Sequence, residues 1–425
     1  MSQTNKGEVM GETSVTALLS GIRVVECAML EPDSLGMMLA DLGADVIKVE
    51  VPGGDYVRGI GWPIVEGISL MHWHLNRGKR SIELDLRTDE GAEVFRDLVS
   101  NSHVVIEGMR PGALSRRGLG YEELAKLNPA LVFCTLSGFG TTGPYRDLPS
   151  HGVGFDSWAG VAPATVDERG FTSMSDHTSI GTRVGGVWAA FGICAALLRA
   201  KSTGVGCRLD VAQTDAAAAT NWLRIEGFRA YERPESEVTG NPSDGGVRRE
   251  PGPGGMGEAV RYQYYATSDG NVLFMASERA FWENFCRGIG RPELFESHPG
   301  APYADHALGD VALRSELRDV FASRTTSQWV SFGLEANCPI SPVNDAVSIT
   351  RDPQFQDRMP WLPAAEYGAD LMPLPVRVLG EEPFHTLPAP KPGEHSGEIL
   401  TDVLGYSAEQ ISSLRDSGAL GPTPA

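Results

Sequence analysis

Between residues 17 and 150 the chain repeats one unit: a short apolar run, then a stretch with helical spacing. Strand candidates are Ile22–Cys27, Ala44–Glu50, Arg80–Leu86, His103–Glu107 and Leu131–Leu136. A helix is expected from about Ser34 to Leu42, stopped by Gly43. A second runs from a Thr88 cap through Asn101, with Glu90 in its first turn, and a third covers Tyr121 to Leu127. Alternation at this spacing predicts a doubly wound, mostly parallel, Rossmann-like α/β sheet.

Further on the pattern changes. Pro234, Pro242, Pro251, Pro253 and the glycines from Gly245 to Gly257 mark a linker. Gly252–Gly257 reads either as plain linker or as a mobile lid; no Gly-Lys-Ser/Thr follows it, so it is not a phosphate loop. Tyr262–Ala276 reads as a hairpin turning at Asp269-Gly270, with helical stretches at 280–290 and 311–333. The expected organisation is a loose tail at 1–17, a large domain over 18–220 and a linker with its glycine-rich loop over 221–258. A smaller α+β domain over 259–335 and a return to the large domain over 336–425 complete it.

At the centre lies Ser179–Gly204, a glycine-containing turn feeding a helix that is apolar on nearly every face from Val184 to Leu198. Arg199 and Lys201 suit the negative end of its dipole, and Gly204 sits where a left-handed cap is needed. Gly185, Gly186 and Gly192 each lower helix propensity by about 1 kcal/mol relative to Ala, so packing must repay them. A buried core helix is expected, because the apolar run is shorter than the roughly 20 residues that span a bilayer.

With 425 residues there is room for two domains, and the formal charge of −19 argues against nucleic acid or an anionic membrane as partner. A polyanionic ligand would need a local basic patch, for which Arg110, Arg116 and Arg117 are candidates. The six cysteines are scattered without metal spacing, and the N-terminus has no apolar signal core. They read as reduced thiols of a cytoplasmic protein that holds no metal.

Several blocks then carry a resemblance. LGADVIKVE (42–50), NRGKRSIELDL (76–86), EGMRPGAL (107–114) and LSGFGTTGPY (136–145) resemble, in the same order, blocks of the class III CoA-transferases. So do the Ser179–Gly204 segment, the TGVGCRLDV that follows it (203–211), and the terminal stretches 393–400 and 404–407. The family includes formyl-CoA transferase, carnitine CoA-transferase and α-methylacyl-CoA racemase. The likeness covers about residues 18–420. It implies an interlocked, obligate dimer or higher oligomer that takes coenzyme A as an acyl-CoA substrate together with a carboxylic acid. It also assigns CoA contacts to Glu31, Pro32, Val51, Leu84, Leu86, Gly108, Met109, Ala113, Arg116 and Arg117. Glu31 stands where the family often has glutamine, and Val51 where some members have an arginine at the adenine end.

The resemblance places the family's nucleophilic aspartate at the position of Thr182. Exchange of CoA between acids needs a side chain that attacks as an anion and is attacked as an acyl group. Only Asp or Glu does both, so Thr182 is not competent. Asp176 is a candidate substitute and Asp156 a residue that orients the turn. The racemase branch has a histidine where this chain has Phe155, which disfavours racemisation; His151 reads as a surface loop histidine. Three readings stay open: one subunit of a heteromeric CoA-transferase whose homologous partner bears the aspartate, as in the benzylsuccinate type; a stand-alone transferase using Asp176; and a non-catalytic CoA-binding pseudoenzyme. Trp73, Trp188 and Trp222 are candidate acyl-pocket walls or plain core.

Overall fold

A computed structural model of the chain describes residues 17–174, 179–238, 243–244, 247–248, 256–301, 304–381 and 384–421. It forms two compact units, Met1–Asn221 with Met359–Ala425, and Trp222–Arg358.

The first unit is built on six parallel strands: β1 (Arg23–Ala28), β2 (Asp45–Glu50), β3 (Lys79–Glu83), β4 (Val104–Gly108), β5 (Val132–Ser137) and β6 (Cys207–Ala212). Their spatial order is β6-β5-β4-β1-β2-β3. The order therefore reverses between β1 and β4, the place where a doubly wound sheet opens a crevice beyond its carboxyl ends. Its helices before Asn221 include α1 (Asp33–Asp41), α2 (Leu70–Asn76), α3 (Asp89–Ser100), α4 (Tyr121–Leu127), α5 (Val153–Trp158), α6 (Ile180–Thr203) and α7 (Gln213–Thr220). Side chains alternate along the strands and serve two cores. Val24, Val46, Ile106 and Cys134 face Leu35 and Leu39 of α1 and Ala189 and Ile193 of α6. Val25, Ile47, Val105 and Phe133 face Phe95 and Leu98 of α3, Leu124 of α4, and Ile399, Leu400, Ile411 and Leu414 from the end of the chain.

Helix starts follow local chemistry. The Thr88 hydroxyl accepts from Gly91 N at 3.0 Å, as the sequence suggested, and α4 covers the residues expected of it. Gly204 closes α6 at φ 71°.

Helix α6 ends at Gly204 as expected and begins at Ile180, within the turn expected to feed it; its 24 residues are long and apolar enough by length and composition to cross a membrane. Its burial departs from expectation, because only one of its faces is buried: Gly181, Thr182, Gly185, Gly186, Ala189, Ile193, Ala196 and Ala200. The opposite face leaves Val187, Trp188, Phe191 and Leu198 exposed, Phe191 by 68%. Small residues explain the buried side, since a Cβ on Gly186 would lie 2.6 Å from Ser34 Oγ on α1.

The second unit holds an antiparallel sheet of β7 (Tyr262–Ala266), β8 (Asn271–Met275) and β9 (Ile340–Pro342). The unit also holds α8 (Trp222–Tyr231), α9 (Arg279–Gly288), α10 (Pro292–Ser297), α11 (Val311–Phe321) and α12 (Thr326–Ala336). Phe274, Trp282, Phe285, Phe321 and Trp329 form an aromatic core. The single helical stretch read at 311–333 is two helices, because Thr325 and Gln328 make a capping box that starts α12. Residues 338–345, expected to belong to the return to the large domain, include β9, which pairs with β8 in this unit, and the unit runs to Arg358. The return thus comes at Met359, later than residue 336. Gly252–Gly255 of the glycine-rich loop lie outside the described residues.

Candidate active site

Beyond the carboxyl ends of β1, β4, β5 and β6 lies an open cavity of about 620 Å³. Met29–Pro32 enter it from β1, Gly108–Pro111 from β4, Ser137–Phe139 from β5 and Gln213 from β6. Ser179, Thr182 and Arg183 at the start of α6 close another side. Arg110, Arg146 and Arg183 give a strongly acidic chain three guanidinium groups at one opening, a setting suited to anionic ligands.

The turn at the start of α6 is held from below. Asp156 on α5 is fully buried, and its carboxylate accepts from Ile180 N at 2.8 Å and Gly181 N at 2.7 Å. It thereby satisfies backbone donors that a helix start leaves open. Thr182 is 5% exposed and its hydroxyl donates only a long bond, 3.4 Å, to Ser179 O. Nearby, Ser137 Oγ and Gln213 Oε1 are buried with no hydrogen-bond partner among the described residues. Such atoms normally find one, so they mark a lining made for a polar guest.

The turn after β1 is built differently. Leu30 has φ 61°, a conformation that L side chains seldom adopt, and it presents Glu31 to the cavity. Under it runs a buried charge network. Lys48 Nζ donates to both oxygens of Asp33 at 2.7 Å and to Asp55 at 3.0 Å. Lys79 Nζ donates to Glu26 at 2.5 Å, to Asp33 O at 2.8 Å and to Asn76 at 3.1 Å. Burial pushes the Glu26 carboxyl up to about 7 while Lys79 pulls it back. Glu31 sits above this network, half-buried. Burial raises its carboxyl above the usual carboxylate range, and the Arg183 guanidinium partly offsets that. No hydrogen bond or contact ion pair engages the Glu31 side chain among the described residues.

Of the residues assigned by resemblance, the cavity brings together Glu31, Pro32, Gly108, Met109 and Thr182, with Phe155 and His151 also on its wall. Val51 is 63% exposed and Leu84 only 1%, locked in the core, with Leu86 packed on that core's edge; none of these three lines the cavity. Ala113 is buried; Arg116 and Arg117 donate to the carbonyls of Pro111 and Ala113, beside the cavity rather than in its lining. Asp176 lies outside the described residues. None of the three tryptophans lines the cavity: Trp73 packs with Tyr367 and Leu371, and Trp188 and Trp222 are about half exposed. Sequence reasoning missed Arg183, Arg146, Ser137 and Gln213. Arg183 follows Thr182 directly, and its position in the helix-entry turn was the one signal available.

Comparison with known proteins settles the lineage. The model of CoA-transferase family III matches residues 19–396. The chain belongs to the class III CoA-transferases. The succinyl-CoA–L-malate CoA-transferase beta subunit of Chloroflexus aurantiacus is 32% identical over 424 residues, 96% of this chain and 99% of that one. The succinate–glutarate CoA-transferase of Agrobacterium fabrum is 31% identical over 91% of this chain and 95% of that protein. Among solved structures, a CAIB/BAIF family protein from Brucella suis superposes with a TM-score of 0.73 at 27% identity, covering 92% of this chain and all of that one. The fold of this class III family member is thus the doubly wound α/β fold expected from its sequence.

Proposed function

We propose that the protein is a subunit of an acyl-CoA:carboxylate CoA-transferase, working beside a second chain of the same fold. The observation that carries this reading is the match of the class III family along residues 19–396 together with a cavity, edged by three arginines, at the carboxyl ends of the sheet. An acyl-CoA and a carboxylic acid are both anionic, and Arg110, Arg146 and Arg183 are placed to meet them. Thr182, at the position the resemblance gives to the nucleophile, stays an alcohol and cannot serve as acyl carrier. Association is supported by the exposed apolar face of α6, and a related partner by the beta-subunit relative. Six free thiols agree with a cytoplasmic setting.

Calorimetry of the purified chain with CoA, succinyl-CoA, acetyl-CoA and formyl-CoA tests the core of this reading. Saturable binding in the micromolar range is expected, and absence of heat with all four rejects it. Native mass spectrometry of the protein taken from its own cells tests association: the expected result is a complex with a homologous chain, and a monomer contradicts it.

A further inference from the structure

We infer that Glu31 is this chain's own acyl-carrying carboxylate, so that its cavity is chemically competent without a carboxylate at position 182. The inference rests on the CoA-transferase reading but goes beyond it, since it moves the nucleophile to the opposite wall of the site.

Three observations converge. Among the described residues lining the cavity, Glu31 is the one that carries a carboxyl group; Asp156 lies beneath the lining. It follows a non-glycine residue held at positive φ in the turn leaving the central strand, and strain at such a residue persists only where the surroundings enforce it. Here the enforcement is visible: Asp33, two residues on, is clamped by Lys48, and its backbone carbonyl accepts from Lys79. Finally, the Glu31 carboxylate is not used structurally, unlike Asp33, Asp55, Glu26 and Glu50, each of which is paired.

The chemistry closes without a further reagent. A Glu31 Oε attacks the acyl-CoA carbonyl carbon; the C–S bond breaks and the electron pair leaves with sulfur, giving a glutamyl–acyl anhydride and CoA thiolate. The thiolate then bonds to Glu31 Cδ; the Cδ–O bond of the anhydride breaks and the donor acid leaves as its carboxylate. The acceptor carboxylate attacks Cδ of this glutamyl thioester and frees the thiolate, which attacks the acceptor carbonyl and returns Glu31 as a carboxylate. No proton or redox equivalent is consumed. Burial raises the Glu31 carboxyl above the usual carboxylate range, and Arg183 partly offsets that in favour of the anion that begins the cycle.

The test is covalent trapping. The wild-type full chain, alone, is incubated in turn with succinyl-, acetyl- and formyl-CoA, quenched with hydroxylamine and mapped by peptide mass spectrometry. A hydroxamate on Glu31 is expected with at least one donor, absent in Glu31→Gln, with acyl exchange lowered about 10³-fold or more in that variant. Calorimetry on the same two preparations keeps the conclusions separate. CoA binding without any hydroxamate, or a hydroxamate on Asp176 or another residue, overturns the assignment of Glu31 and leaves the family reading standing. Loss of CoA binding in wild type overturns both. Glu31→Gln is close to isosteric, and an unchanged circular-dichroism spectrum and thermal midpoint confirm that the variant folds.

Discussion

Two carboxylates serve one cavity, one on its wall and one beneath it, and they are held in opposite ways. Asp156, under the α6 wall, is fully buried with both oxygens engaged by backbone N–H groups. Glu31, on the β1 wall, is half-buried and makes no hydrogen bond or ion pair among the described residues. The same group is spent on architecture in one place and left free in the other. The supports differ as well. The β1 wall rests on interlocked buried ions, whereas the α6 wall rests on one capping carboxylate and on glycines that let α1 and α7 approach. Burial alone therefore does not separate a structural acid from a reactive one; what its oxygens already bind does.

The contrast breaks most visibly if the ions under the β1 wall are removed. Lys79→Met strands Glu26 without its partner, and loss of one member of a buried pair costs about 3–5 kcal/mol. A large drop in thermal midpoint, or failure to fold, is expected; a midpoint within a degree of wild type would mean the network is dispensable. Asp156→Ala should come next. It removes two charge-assisted hydrogen bonds and leaves two donors open, a loss of about 2–4 kcal/mol, read as a lower denaturant midpoint at unchanged slope. Glu31→Gln should leave that midpoint untouched.

Acid should act through a buried group that lines neither wall. His72 on α2 bonds Pro390 O through Nε2 at 3.1 Å and Asn76 through Nδ1 at 3.2 Å, an arrangement that suits the neutral ring. Burial, helped by Arg58, lowers its pKa to about 3. The folded value lies below the unfolded one, so the stability it confers is complete above about pH 6.5 and lost as the pH falls toward 3. Roughly 1–2 kcal/mol should go between pH 6.5 and 5, and His72→Gln should flatten that limb of a stability–pH curve. The smallest effect is expected at Ser137. Its unpartnered hydroxyl is a lining contact, so Ser137→Ala should change kcat/KM about 3–10-fold with stability within about 0.5 kcal/mol.

Much of this architecture was legible in the chain. Strand–helix alternation gave the parallel sheet, and Thr88 and Gly204 marked helix ends through chemistry that needs no tertiary context. What escaped was tertiary. An apolar surface all around α6 does not say which side a neighbour covers. Nothing in the sequence marks Lys48 and Lys79 as buried, yet both are, because their partners arrive from β1, α1 and the loop at Asp55. Leu30 carries no sign of its positive φ, as a glycine would. Resemblance pointed to Glu31 as a CoA contact, but its lack of partners emerged only in the folded chain.

Isotope exchange tests the central claim most directly. The purified chain, free of any homologous partner, is mixed with succinyl-CoA and [13C]succinate, and with the matching acetyl and formyl pairs, and label entering the thioester is followed by mass spectrometry. Label should enter at least one acyl-CoA with the wild-type chain and not with Glu31→Gln, and the rate should fall as acid protonates a carboxyl whose pKa lies above the ordinary value. Exchange that persists in Glu31→Gln, or that starts only when a second homologous chain is added, would contradict it.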